Sequence, residues 1–115
     1  MIIGIGIDIV DLPRFKKIAS KQEFRDRCFS IKENDLKIDS LAGRFAAKEA
    51  FFKALDVQEL FSWSDVEVIS ELNGSPTFNF KNCLADYAKD KKIHLSISHS
   101  NDSSIAVVII ENSAV

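Results

Sequence analysis

Isoleucine stands at every second position from Ile3 to Ile9, with Gly4, Gly6, Asp8 and Val10 at the alternate positions. That period of two predicts a strand over residues 2–10 with one face of solid isoleucine. The opposite face has two residues without side chains and then a carboxylate, so open space is expected above it. Asp11-Leu12-Pro13 is a helix start, because the N–H that proline lacks has no partner in a first turn. The helix that follows sets Phe15, Ile18 and Ala19 on one side, with Phe15 and Ile18 expected to anchor it. Arg14, Lys17 and Lys21 lie on the other side and Lys16 at the edge. Ser20 with Glu23, and Ser30 with Glu33, have capping-box spacing, so short helices should follow one another. Asp39 or Ser40 is expected to cap the longest helix, which runs to about Leu55 through good helix formers. Asp65 to Leu72 alternates as a strand, Asn73-Gly74 is a hairpin turn, and Pro76 to Phe80 returns. Lys81 to Lys89 predicts a helix and Ile93 to Ser100 a strand. Asn101-Asp102 turns into the apolar run Ile105 to Ile110, a strand expected to be buried on both faces. Helices early and strands mostly late give an α+β class. We expect a single small domain over residues 1–115, with an antiparallel sheet packed on the long helix.

A chain of 115 residues, 46% apolar, can form one core. Fifteen Lys and Arg against 17 Asp and Glu give a formal charge of −2. That excludes a bulk-basic nucleic-acid binder and a polybasic membrane binder as first readings. The balance conceals a patch, however. Between Arg14 and Arg27 six basic residues meet two acids, a net +4 that leaves −6 for the rest. Cys28 and Cys83 have neither CxxC nor zinc-ligand spacing, so free thiols in a reducing cytoplasm are expected. The opening MIIGIGIDIVD is too short for a membrane span and lacks a basic lead for a signal peptide. A soluble cytoplasmic protein is the working expectation. No Walker A loop, GxSxG elbow or HExxH occurs.

Four features could carry chemistry. Asp8 places a carboxylate in an isoleucine-rich strand, where it needs a cation or nearby amides to compensate desolvation. Glu49 lies in the middle of the long helix, four positions before Lys53. An ordinary Glu-to-Lys helical pair, worth roughly 0.3–0.5 kcal/mol, fits that spacing. Yet apolar residues surround Lys48, Glu49 and Lys53 around most of the helix. Two carboxylates sharing a divalent cation would also explain the charge, since magnesium favours one or two carboxylates with water and phosphate oxygens. His99 ends a strand on the face of Leu95 and Ile97, where a structural role is as natural as a catalytic one. The one-sided basic stretch 14–27 suits an acidic partner. RNA is the rival, but single-stranded RNA sites favour exposed aromatics among the basic residues. The one Trp and the one Tyr both lie outside the stretch.

At these residues the chain resembles the holo-[acyl carrier protein] synthases, the small trimeric branch of the 4′-phosphopantetheinyl transferases. GIGIDIVD at 4–11 and RFAAKEAFFKAL at 44–55 carry the resemblance, at about the family's separation. CFSIKEND at 28–35, SWSDVEVISELNGSP at 62–76 and HLSISHSNDSSIAVVII at 94–110 extend it over nearly the whole chain. The resemblance implies transfer of 4′-phosphopantetheine from coenzyme A to a serine of apo-acyl carrier protein, in fatty acid biosynthesis, with Mg²⁺. It implies that Asp8 and Glu49 hold the metal and that Lys53 acts with them against the phosphates. The base for the serine is then Glu49, or a water held by Asp8 or Glu49. Arg44, Gly74, Pro76, His99 and Ser100 are implied in coenzyme A binding. Arg14, with Lys17, Lys21 and Arg25, is implied in docking the acidic carrier. The family's cleft between protomers implies a homotrimer. Phe45 replaces a tryptophan found in many members, and Ser75 stands where a basic residue is common, weakening one phosphate contact. The competing reading is a non-catalytic module that grips an acidic helical partner through 14–27.

Overall fold

The computed structural model describes residues 1–56 and 61–113. Strand β1 (Ile2–Asp11) leads into helices α1 (Leu12–Ala19), α2 (Gln22–Cys28), α3 (Ile31–Asn34) and α4 (Ile38–Ala54). After a 3-10 turn at Trp63–Asp65 come β2 (Val66–Ser70), β3 (Pro76–Phe80), α5 (Cys83–Ala88), β4 (Lys91–His99) and β5 (Ser103–Asn112). Strands β1, β5 and β4 form one antiparallel sheet in that order, and β2 and β3 pair separately. The α+β class and the antiparallel sheet on a long helix are as expected. Both cysteines are free thiols. Among the described residues, no helix is long and apolar enough to cross a membrane.

Helix α4 lies across β1 and β5. Its sheet side is built of Ala42, Ala46, Ala47, Ala50 and Ala54, all buried, against Val10, Ala106, Val108 and Ile110. Small side chains let the helix approach closely, and β1 meets it with glycine. A Cβ on Gly6 would stand 1.8 Å from the Ala50 carbonyl oxygen, and one on Gly4 would stand 1.9 Å from that of Ala54. The space expected above the two glycines is therefore filled by helix backbone. The isoleucine face is the outer one. Ile5, Ile7 and Ile9 are 62%, 56% and 67% exposed. Glycine wins the inner position because it lets the helix backbone come nearer than any side chain would. The same geometry corrects the expectation for β5. Ser104, Ala106, Val108 and Ile110 are buried under α4, whereas Ile105 is exposed and Val107 and Ile109 are only half-buried.

The caps differ in detail. Asp11 caps α1, accepting from the Arg14 amide at 3.0 Å. Ser30 and Glu33 form the expected box on α3. Ser20 and Glu23 do not. The Ser20 hydroxyl donates instead to the Lys17 carbonyl at 2.7 Å, and α2 begins after Lys21 without a side-chain cap. Helix α4 starts one residue before Asp39, which lies in its first turn where a negative charge suits the helix dipole. The β2–β3 hairpin turns where Asn73-Gly74 predicts it, with Gly74 at φ +87°.

Candidate functional site

The contact of Gly6 with Ala50 fixes the site's geometry. Two residues beyond Gly6, on the same face of β1, stands Asp8. One residue before Ala50 stands Glu49. Bringing the two backbones together brings the two carboxylates to one cavity of about 610 Å³, lined also by Arg14, Phe15, Ile18, Phe45 and Ser103. The Asp8 side chain is 15% exposed. Burial pushes the Glu49 carboxyl above its ordinary range; the charge of Asp8 adds to that and Lys53 partly offsets it. A pair of carboxylates in this state is stabilised by any cation that enters.

Lys53 makes its ion pair across to β1 and not along its own helix. Its Nζ lies 3.1 Å from Asp8 Oδ1 and donates to the Ile7 carbonyl at 3.1 Å. Among the described residues, the hydrogen-bond partner of Asp8 is thus the Lys53 ammonium and not a neighbouring amide. No three His, Cys, Asp or Glu side chains gather into an all-protein metal cage among the described residues. Two hard oxygen donors on an open cavity fit a magnesium-like ion that keeps water and phosphate ligands.

A second cavity, of about 320 Å³, gathers Arg44, Gly74, Pro76, His99 and Ser100 with Asp39, Ser40, Gly43 and Ile97. Arg44 projects from α4 and donates to the Val68 carbonyl and, at 3.3 Å, to Ser70 Oγ. His99 follows Ile97 on the helix-facing side of β4, opposite Ser104. The amide of Ser100 donates to the Ser103 carbonyl at 2.8 Å, and its hydroxyl to Asp102 at 3.0 Å, which fixes the turn between β4 and β5. Five residues singled out from sequence therefore meet in one place. Within one chain they line a different cavity from Asp8 and Glu49.

Of the basic residues, Arg14 lines the carboxylate cavity, and Lys17 and Lys21 are exposed beyond it. Arg25 is half-buried and donates to Gln22 Oε1 at 2.6 Å. Ile18 does not anchor α1. It is 40% exposed beside the cavity, while Leu12, Phe15 and Ala19 carry the packing. Trp63, distant in sequence, stacks on Phe45 at 5.3 Å.

The sequence reading placed Glu33 in a capping box but missed its second partner, Lys48. Glu33 is 2% exposed and pairs with the fully buried Lys48 at 2.6 Å. Lys48 also donates to the Cys28 carbonyl at 2.6 Å. Desolvation draws the Lys48 ammonium below its usual range, and the charge of Glu33 opposes that. The charge of Lys48 is thus answered by an ion pair and needs no metal. The signal in sequence was a lysine inside an alanine- and phenylalanine-rich helix, but nothing local pointed to a partner 15 residues away.

Residues 4–109 match the family model of the 4′-phosphopantetheinyl transferase superfamily. The chain is 42% identical over 112 residues to the holo-[acyl-carrier-protein] synthase of Leifsonia xyli subsp. xyli, covering 96% of this chain and 95% of that one. It superposes with a TM-score of 0.88 on the holo-[acyl-carrier-protein] synthase of Neisseria meningitidis, at 30% identity, covering 97% and 100% of the two chains. The enzyme of Bacillus anthracis, solved in complex with CoA (3′,5′-ADP), gives a TM-score of 0.82 at 36% identity, covering 98% and 99%.

Proposed function

The chain belongs to the 4′-phosphopantetheinyl transferase superfamily, and we propose that it has holo-[acyl-carrier-protein] synthase activity. It transfers 4′-phosphopantetheine from coenzyme A to a serine of apo-acyl carrier protein and releases adenosine 3′,5′-bisphosphate. Residues 1–115 act as one catalytic domain, in the cytoplasm and in the service of fatty acid biosynthesis. The observation that carries the reading is the convergence of Asp8 and Glu49 on a cavity that Arg14 also lines.

The serine oxygen attacks the phosphorus next to pantetheine, and the bond from that phosphorus to the bridging oxygen of the leaving nucleotide breaks. Positioning and charge neutralisation supply most of the rate in such chemistry. Asp8 and Glu49 would hold Mg²⁺, which when bound neutralises charge on the pyrophosphate. Lys53, already beside Asp8, presents its ammonium to the phosphates. The serine proton passes to Glu49, or to a water held by Asp8 or Glu49. Arg44, Gly74, Pro76, His99 and Ser100 form the wall for the nucleotide part of coenzyme A. Arg14, Lys17, Lys21 and Arg25 draw in the acidic carrier, and Arg14, lining the cavity with Asp8 and Glu49, supports docking of the serine beside the carboxylates.

We assign the functional unit to a homotrimer. Two features support this: the isoleucine face of β1 is exposed on the protomer, and the nucleotide wall and the carboxylate pair line separate cavities of one chain. A neighbouring protomer would supply the wall that faces Asp8 and Glu49.

The test is mass spectrometry of apo-carrier incubated with the protein, Mg²⁺ and coenzyme A. The carrier should gain one phosphopantetheine, and Asp8→Ala or Glu49→Ala should abolish the gain while the protein stays folded. Carrier binding without modification would favour the non-catalytic module instead.

A further inference from the structure

Among the described residues, strand β2 pairs with β3 alone and leaves its other edge free. At its free edge, both backbone polar groups of Val68 are taken up by side chains. The Val68 amide donates to Glu33 Oε2 at 3.1 Å, and the Val68 carbonyl accepts from Arg44. The other oxygen of Glu33 accepts from Lys48 Nζ at 2.6 Å and from the Ser30 amide at 3.0 Å. One buried carboxylate thus joins α3, α4 and the β2–β3 hairpin. Burial draws the Arg44 guanidinium below its usual range, and the charges of Glu33 and Glu67 oppose that.

This matters for the second cavity. One wall of it is α4, through Ser40, Gly43 and Arg44, and another is the hairpin, through Val68, Gly74 and Pro76. The hairpin is held to α4 from two sides. Phe78 and Phe80 pack on Phe51, at 5.3 and 4.9 Å between ring centres. The polar tie at Val68 holds the other strand. Burial of the rings at Phe51 is tolerant of small shifts, whereas hydrogen bonds at Val68 hold only over a narrow range of distance and angle and so fix the register of β2 against Arg44.

We propose that Glu33 is a positioning residue for coenzyme A: it sets the distance between the Gly74–Pro76 wall and Arg44. The inference rests on the proposed function and names a residue outside the cavity itself. Glu33→Gln is the informative change, because the amide cannot serve all three donors. Either orientation aims its NH₂ at the Val68 amide, or at Lys48 and the Ser30 amide.

The experiment measures coenzyme A affinity by calorimetry, with KM values for coenzyme A and for apo-carrier. Glu33→Gln should weaken coenzyme A about tenfold, as expected for a displaced positioning contact, and leave the KM for carrier unchanged. Glu33→Asp keeps a carboxylate for Lys48 with a shorter reach to Val68. It should lose coenzyme A affinity in the same direction by a smaller factor, and it serves if the glutamine variant does not fold. Val108→Ala, in the core and away from the hairpin edge, should lower the melting temperature without changing coenzyme A affinity. Unchanged affinity in both Glu33 variants would overturn the proposal. So would equal losses toward carrier and coenzyme A, or the same loss in Val108→Ala. Absence of coenzyme A binding by the unmodified chain would overturn the proposed function itself.

Discussion

At the scale of single residues, Glu49 is the group whose state is most sensitive to its neighbours. Its folded pKa is raised above 4.5, first by burial and then by Asp8. The folded chain therefore keeps this proton at pH values where the unfolded chain has lost it. Stability from this group is largest at acid pH and falls as pH rises from about the unfolded value through the folded one. Ionised Glu49 is then a net cost at neutral pH. Glu49→Gln should stabilise the fold at pH 7 by roughly 0.5 kcal/mol, a modest figure because solvent screens the half-exposed group. Urea unfolding reads this, and a destabilised variant would contradict it. Asp8→Asn should bring the Glu49 pKa down toward its ordinary value, and Lys53→Met should raise it further, both visible by carbon NMR of the carboxyl. Asp8 and Glu49 were legible as candidates because charge in an apolar strand or helix asks for a reason. The partner of Lys53 was not, because helical spacing offered Glu49 and only the fold brought Asp8 nearer.

At the scale of elements, the approach of β1 to α4 decides where both carboxylates go. Gly6→Ala puts a methyl group 1.8 Å from the Ala50 carbonyl oxygen, against backbone that cannot rotate away. It should cost about 3 kcal/mol and separate Asp8 from Glu49, with a matching loss of activity. Gly43→Ala is the contrast. Its methyl would meet only the Ile97 side chain, at 3.2 Å, in a helix that favours alanine. Denaturant melts should place it within about 1 kcal/mol of the parent. Element types and most boundaries were legible from period and turn residues. Asn73-Gly74 in particular demands a turn, since glycine adopts the positive φ found there. The short caps were less so: Ser20 and Ser30 have the same spacing to a glutamate, and only Ser30 lies where packing turns Glu33 inward.

At the scale of the whole molecule, the exposed isoleucines and the two separate cavities are one problem. A protomer that leaves Ile5, Ile7 and Ile9 to solvent loses apolar burial that a second copy can restore. Ile7→Glu should cost the isolated protomer less than about 0.5 kcal/mol, since the side chain is exposed there. By sedimentation it should run as a monomer, and its coenzyme A turnover should fall with the assembly. A folded, monomeric and fully active variant would refute a shared site.

Local sequence was enough for the order of helices and strands, the hairpin turn, the free cysteines, and candidate site residues, of which Asp8, Glu49 and Arg14 meet in one cavity and Arg44, Gly74, Pro76, His99 and Ser100 in another. Those are consequences of local period, turn chemistry and residue type, which act over a few positions. Which face of β1 is covered, why Lys48 tolerates full burial, and where Lys53 points were decided only by the tertiary structure. Alternation states that a strand has two faces, but which one a helix covers depends on how closely two distant backbones can approach. Here the bare backbone of Gly6 against Ala50 settled that, and with it the meeting of Asp8 and Glu49.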